Sequence, residues 1–149
     1  MKIILGADHG GFQVKQQIYK WLKEQGYKVV DAGAHQLDPQ DDYPLFAFEV
    51  AKKVSADKDA MGILFCRSGA GMAIVANKLR KIRAVEVFNP LSAEHAREHN
   101  NANIITLSAD WLDLDEIKKI VEKFLVTRFT AEERHQRRID QITDIENQS

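Results

Sequence analysis

Residues 62–78, GILFCRSGAGMAIVANK, begin as an apolar run, break at Cys66 into Arg67-Ser68-Gly69-Ala70-Gly71, and resume with helical spacing. An apolar strand, a glycine-rich turn and a helix in that order make one unit of a β-α repeat. The repeat extends in both directions. Upstream, KIILGAD is a β-branched run ending in Gly6, and Val14, Ile18, Trp21 and Leu22 form a helical stripe that Gly26 stops. Residues 27–30 read as a strand, 44–54 as a helix, 61–65 as a strand, 71–79 as a helix and 82–87 as a strand. A helix over 90–99 and a strand over 103–107 follow. A final helix carries Ile117, Ile120, Val121, Phe124 and Leu125 at i, i+3, i+4, i+7, i+8 spacing. Short strands alternating with helices predict a three-layer, doubly wound α/β fold, with five parallel strands covered by helices on both faces.

At 149 residues the chain suits one domain, 1–149. The segment 130–149 is a charged tail whose only apolar stripe is Ile139, Ile142 and Ile145. A stripe that sparse predicts a helix docked on something, with a second subunit as the candidate. Hydrophobic residues make up 44% and charged residues 29%, ordinary values for a globular protein. The net charge of −1 excludes a global field that would attract nucleic acid, so any anion site must be local. No apolar run approaches the ~20 residues that span a bilayer, and the N-terminus lacks a signal-peptide pattern. The expectations are no membrane, no nucleic acid and a cytoplasmic location.

In a doubly wound sheet, ligands sit beyond the carboxyl ends of the strands, where successive connections leave to opposite faces. The residues there are Asp8-His9 after the first strand, Cys66 to Gly71 after the third, and Phe88-Asn89-Pro90 after the fourth. Residues 33–42, GAHQLDPQDD, form the one long polar loop. Cys66 is the only cysteine and so has no intrachain disulfide partner. A lone cysteine ending an apolar strand is ordinarily core. A glycine-rich turn entering a helix, however, offers free N–H groups and the positive end of a dipole, which stabilise an anion and lower a thiol pKa.

Several phosphate motifs fail by count. GAGMAIVANK lacks the Gly-Lys-Ser/Thr of a P-loop, the third glycine of a dinucleotide fingerprint falls on Ile74, and a Cys-x5-Arg phosphatase would need arginine where Met72 stands. A cysteine beside an anion hole remains. His95 and His99, four apart, could share a metal, but no third ligand is evident nearby. Asp42-Tyr43-Pro44 reads as an N-cap and first-turn proline with a lesser claim to a site role.

The ordered segments GADHGGFQVK, DYPLFA, CRSGAGMAIVANK, IRAVEV, EHNNANII and RHQRRI resemble the ribose-5-phosphate isomerase B family, which includes galactose-6-phosphate and allose-6-phosphate isomerases. The resemblance runs from Lys2 to about Ile145. It implies a metal-free, cofactor-free aldose–ketose isomerase of Rossmann-like fold, a homodimer or homotetramer whose active sites are shared between subunits. It further implies Cys66 as the base moving a proton between C2 and C1, and His99 as the group that opens the sugar ring. Asp8 and His9 would contact sugar and phosphate, Asn100 the substrate, and Arg134 and Arg138 the phosphate.

The chemistry of these residue types fits. Proton transfer between adjacent carbons needs a tuned base and donors for the enediolate oxygen. Cys66 can be the base, and the N–H groups of Arg67, Ser68, Gly69, Ala70 and Gly71, with the Ser68 hydroxyl, can be the donors. Arg134 and Arg138, four apart, share a helix face, though such pairs are commonly only solvated.

Two departures from the family pattern stand out. Arg67 occupies a position usually glycine, which would strain the loop if φ were positive there. Asp110 stands where the ribose-5-phosphate enzymes usually carry a phosphate-binding arginine. The expectation is that Arg67 supplies the charge lost at 110. The alternatives are a changed substrate, such as allose 6-phosphate, another phosphosugar or a free sugar, and a sugar-phosphate-binding protein without activity.

Overall fold

Alternate residues of the third strand go to opposite faces of the sheet. Ile63 and Phe65 enter one apolar core, while Leu64 and Cys66 enter another. Such two-sided burial belongs to a parallel sheet covered by helices on both faces. The structure, a computed structural model, describes all residues 1–149. In chain order its elements are β1 (Lys2–Ala7), α1 (Phe12–Glu24), β2 (Lys28–Asp31), α2 (Tyr43–Ala56), β3 (Ala60–Cys66) and α3 (Ala70–Ala76). Then come β4 (Ala84–Glu86), α4 (Pro90–Asn100), β5 (Ile104–Ser108), α5 (Leu114–Val126) and α6 (Glu133–Gln148). The five strands are all parallel, in the order β2-β1-β3-β5-β4.

One core gathers Ile18 and Leu22 of α1, Ala93 and Ala96 of α4, and the whole α5 stripe predicted from its spacing. The other gathers Ala47, Val50 and Val54 of α2 with Met72 and Ala76 of α3. Helix α1, which leaves β1, and helix α3, which leaves β3, therefore lie on opposite faces. The switch point falls between these two adjacent strands. Asp8 and Cys66 are the residues at it.

Three features fix the frame. The fully buried Lys15 donates to Asp31 Oδ1 at 2.6 Å and to the Ala34 carbonyl, which ties α1 to the end of β2. A buried ammonium without such partners would not be tolerated. Capping boxes start α4 (Asn89 with Ser92) and α5 (Asp113 with Glu116). Asp42 stands at the N-cap position of α2 as expected, with Pro44 in the first turn, but its side chain makes no capping hydrogen bond.

The tail packs on its own chain. His135 and Ile139 are buried, Thr130 donates through its backbone N–H to the Glu98 carbonyl, and Glu146 accepts from the Lys81 N–H at 3.1 Å. Ile142 and Ile145 remain 43% and 63% exposed.

Candidate active site

Three loops meet at the carboxyl edge of the sheet, those after β1 and β3 and the β2–α2 loop that brings Asp41 to His9. The first, after β1, is a tight turn in which Asp8 Oδ1 accepts the N–H groups of Gly10 at 2.9 Å and Gly11 at 3.2 Å. That leaves Oδ2 without a hydrogen bond in the chain. The second, after β3, lies against the first, since a methyl group on Gly10 would sit 2.6 Å from Arg67 Cγ. Gly69 adopts φ +97, a conformation an L side chain resists, and so lets the loop turn into α3. Gly71 is needed for space, because a methyl group there would meet the Tyr43 ring at 2.5 Å.

Cys66 is 5% exposed, and its Sγ accepts the Gly69 N–H at 3.0 Å. The N–H groups of Ser68 and Met72 also favour the thiolate, yet burial outweighs all three, and with help from the Asp8 charge the thiol is pushed up. The sequence predicted the opposite sign. The cradle of amides is present, but it sits at the end of an apolar strand, where desolvation of the anion dominates. The Gly69 amide is also committed to sulfur. The Ser68 hydroxyl makes no hydrogen bond within the chain and is open to a ligand.

Arg67 is free of the strain feared for a non-glycine, since the positive-φ residues other than glycine are Lys81, Asn101 and Ala131. Its guanidinium lies 3.5 Å from Asp110 Oδ2, with both side chains largely exposed. The cation gained and the anion gained pair with one another.

The other residues named from the sequence lie elsewhere. Helix α4 begins at the carboxyl edge and returns to the opposite edge of the sheet. There the Asn101 carbonyl accepts Arg83 Nε at 2.9 Å, just before β4 starts. His99 and Asn100 close that helix, about 16 Å from its start at 1.5 Å per residue. His99 Nδ1 pairs with His95 Nε2 at 2.8 Å, so these two rings satisfy one another. The His99 ring packs on His135 of α6 with centroids 4.4 Å apart. Arg134 and Arg138 stand exposed on the same helix, Arg134 beside Glu132. One chain thus holds two candidate half-sites, Asp8–His9–Cys66–Ser68 at one edge and His99–Asn100–Arg134–Arg138 at the other.

This geometry has relatives. A sequence profile described as Ribose/Galactose Isomerase matches residues 3–142. The chain belongs to that family. Ribose-5-phosphate isomerase B of Mycolicibacterium paratuberculosis is 40% identical over 98% of this chain and 92% of its own length. The Escherichia coli enzyme of the same name is 39% identical over 97% and 96%. Among solved structures, ribose-5-phosphate isomerase B from Mycoplasma genitalium with bound ribulose-5-phosphate superposes with a TM-score of 0.96 at 41% identity, covering 99% of this chain and 97% of that one. The Clostridium thermocellum enzyme gives 0.95 at 40% identity, with 99% of each chain covered. The chain is an isomerase of this family. No helix is long and apolar enough to cross a membrane.

Three residues at the carboxyl edge carried no strong signal in the sequence. Tyr43 covers Gly71. Glu86 ends β4 beside Gly69, with its carboxyl pushed up by burial. Asp41 bonds His9 from the polar loop. For Tyr43 the adjoining proline was a hint, but nothing in the spacing of the other two foretells that they converge.

Proposed function

We propose that the chain interconverts ribose 5-phosphate and ribulose 5-phosphate, with Cys66 as the base. Its similarity to the Mycoplasma genitalium enzyme, solved with ribulose-5-phosphate, over nearly the full length supports this reading. In it, the Cys66 thiolate removes the C2 proton of the open-chain aldose and returns it to C1, while a proton passes from O2 to O1. The Ser68 hydroxyl, otherwise unengaged, donates to the enediolate oxygen, an interaction typically worth ~3–4 kcal/mol. Asp8 Oδ2 accepts a sugar hydroxyl. Purified protein given ribose 5-phosphate should form ribulose 5-phosphate, and in D2O deuterium should enter C1 to the extent that the proton held on Cys66 exchanges with solvent before its return. No conversion, with turnover of allose 6-phosphate or a free sugar instead, would reassign the substrate.

The second half-site enters from another copy of the chain. Ile74, Phe88, Leu91 and Trp111 are exposed on the elements flanking the carboxyl edge, and Ile142 and Ile145 are exposed on α6. Two unpartnered apolar surfaces on opposite edges fit a two-fold homodimer, alone or within a tetramer, in which α6 and the end of α4 cap the cysteine loop of the other subunit. His99 would then act on the ring oxygen, Asn100 on the sugar, and Arg134 and Arg138 on the phosphate. A cytoplasmic location fits this reading, since a phosphorylated sugar is retained on the side of a bilayer where it is made.

Arg67 sets the phosphate affinity in this reading. Because Asp110 draws on its charge, the pocket differs from one with a free arginine, and an altered sugar preference is the second reading that the pair favours. Arg67→Ala should raise KM for ribose 5-phosphate about tenfold, the scale of one charge-assisted hydrogen bond, and leave kcat nearly unchanged. An unchanged KM would remove Arg67 from the site.

A further inference from the structure

The polar loop between β2 and α2 folds back over the first loop and delivers one carboxylate to His9. Asp41 Oδ1 accepts the His9 backbone N–H at 2.9 Å and lies 2.7 Å from His9 Nδ1. The Asp41 backbone N–H donates to the Asp38 carbonyl at 3.1 Å, which closes the turn that aims the side chain. The Asp41 side chain is only 9% exposed, against 26% for His9. Its second oxygen, Oδ2, is buried with no partner.

These contacts constrain the imidazole. A carboxylate only accepts, so the nitrogen facing it carries the proton. The same oxygen is pinned to the main chain of His9, whose turn is held by the Gly11 N–H on the Asp8 carbonyl at 3.1 Å. Rotating the ring to offer the other nitrogen would leave a nearly buried carboxylate with the His9 backbone N–H as its one partner, at the cost of a charge-assisted hydrogen bond. His9 Nε2 makes no hydrogen bond in the chain and is therefore the atom left for a ligand.

We propose that Asp41 is a positioning residue for His9, holding the ring by Nδ1–H so that Nε2 is presented as a donor to an anionic oxygen of the phosphosugar. The proposal rests on the reading of His9 as part of a sugar-phosphate site. Charge acts in the same direction. The groups facing His9 are Asp41 from the β2–α2 loop, Asp8 from its own loop and Arg67 from the β3–α3 loop, with Asp110 behind Arg67. The hydrogen bond to Asp41 is the largest influence, and with the two carboxylates it raises the His9 pKa against burial and Arg67. In the shared dimer, Arg134 and Arg138 of the second copy would add positive charge opposing it, with the titratable His99 ring beside them. A raised pKa keeps the imidazolium, and its Nε2–H, to higher pH. Substrate affinity then falls as pH climbs through that value, and without Asp41 the fall begins at lower pH.

The test is a 15N and ring-proton NMR titration of the intact protein, with His9 assigned from its missing signal in His9→Gln, beside KM for ribose 5-phosphate as a function of pH. Asp41→Asn should move the His9 midpoint down toward the usual histidine value. It should also raise KM by roughly tenfold at pH between the two midpoints, one charge-assisted bond to phosphate, with a much smaller change in kcat. Asp41→Glu should recover much of both. An unmoved His9 midpoint in Asp41→Asn overturns the proposal. If Asp41→Asn does not fold, the wild-type spectrum decides. Neutral His9 protonated at Nδ1 supports the proposal, and neutral His9 protonated at Nε2 overturns it. The titration needs no turnover, so a protein inactive on ribose 5-phosphate would fail the functional reading without moving this readout.

Discussion

Cys66→Ala is expected to lower kcat for ribose 5-phosphate by about 10²- to 10⁴-fold, the range a positioned acid–base group contributes, while the chain stays folded. Deleting a single sulfur from a site already at the rim of an apolar core leaves a small cavity. Circular dichroism should match the wild type. The pH profile adds a signed expectation. Because burial and Asp8 push the thiol up more than the three amides hold it down, little thiolate exists near neutrality in the free protein. Activity should therefore rise with pH through the neutral range, and iodoacetamide should label Cys66 slowly at neutral pH, faster in alkali, and slowly again when substrate fills the site. Cys66→Ser should not restore the rate, since a hydroxyl ionises far less readily than a thiol. If Cys66→Ala still exchanges the C2 proton at the wild-type rate, another group is the base.

The fold was legible because strand and helix periods differ, and every α5 residue named from its stripe is buried. The switch point followed from connection order alone, and it located Asp8 and Cys66 correctly. The sign of the Cys66 shift was not legible. Amide cradle and burial oppose one another at that sulfur, and spacing reveals only the cradle. Asp41 was hidden for a different reason. Its partner is 32 residues away, and a polar loop gives no periodicity from which to read its path. Strand positions were close but not perfect. The strand expected over 82–87 is only Ala84–Glu86, because the Ile82 N–H is taken by the Leu79 carbonyl in a turn and the Arg83 N–H by the Asn103 side chain before the strand begins.

The second large effect tests whether the two candidate half-sites at opposite edges of one sheet join across a dimer. Cys66→Ala and His99→Asn should each be nearly inactive when assembled alone, the second most severely with cyclic substrate. Co-expressed, they should recover activity. If Cys66 of one subunit works with His99 of the other, a mixed dimer contains one intact site and one site lacking both groups. Random pairing makes about half the dimers mixed, so recovery should approach about a quarter of the wild-type rate per chain. The His99 substitution is suited to this because its ring, 32% exposed, pairs with His95, Glu98 and His135 at the end of α4 and makes no hydrogen bond to the sheet. Arg138→Ala in place of His99→Asn should complement Cys66→Ala in the same way, through KM rather than kcat, since the exposed guanidinium is read as a phosphate ligand. A mixed preparation no more active than the sum of its parts would mean that each chain closes its own site. That would require α4 and α6 to leave the edge where Thr130, Glu98 and Lys81 now hold them.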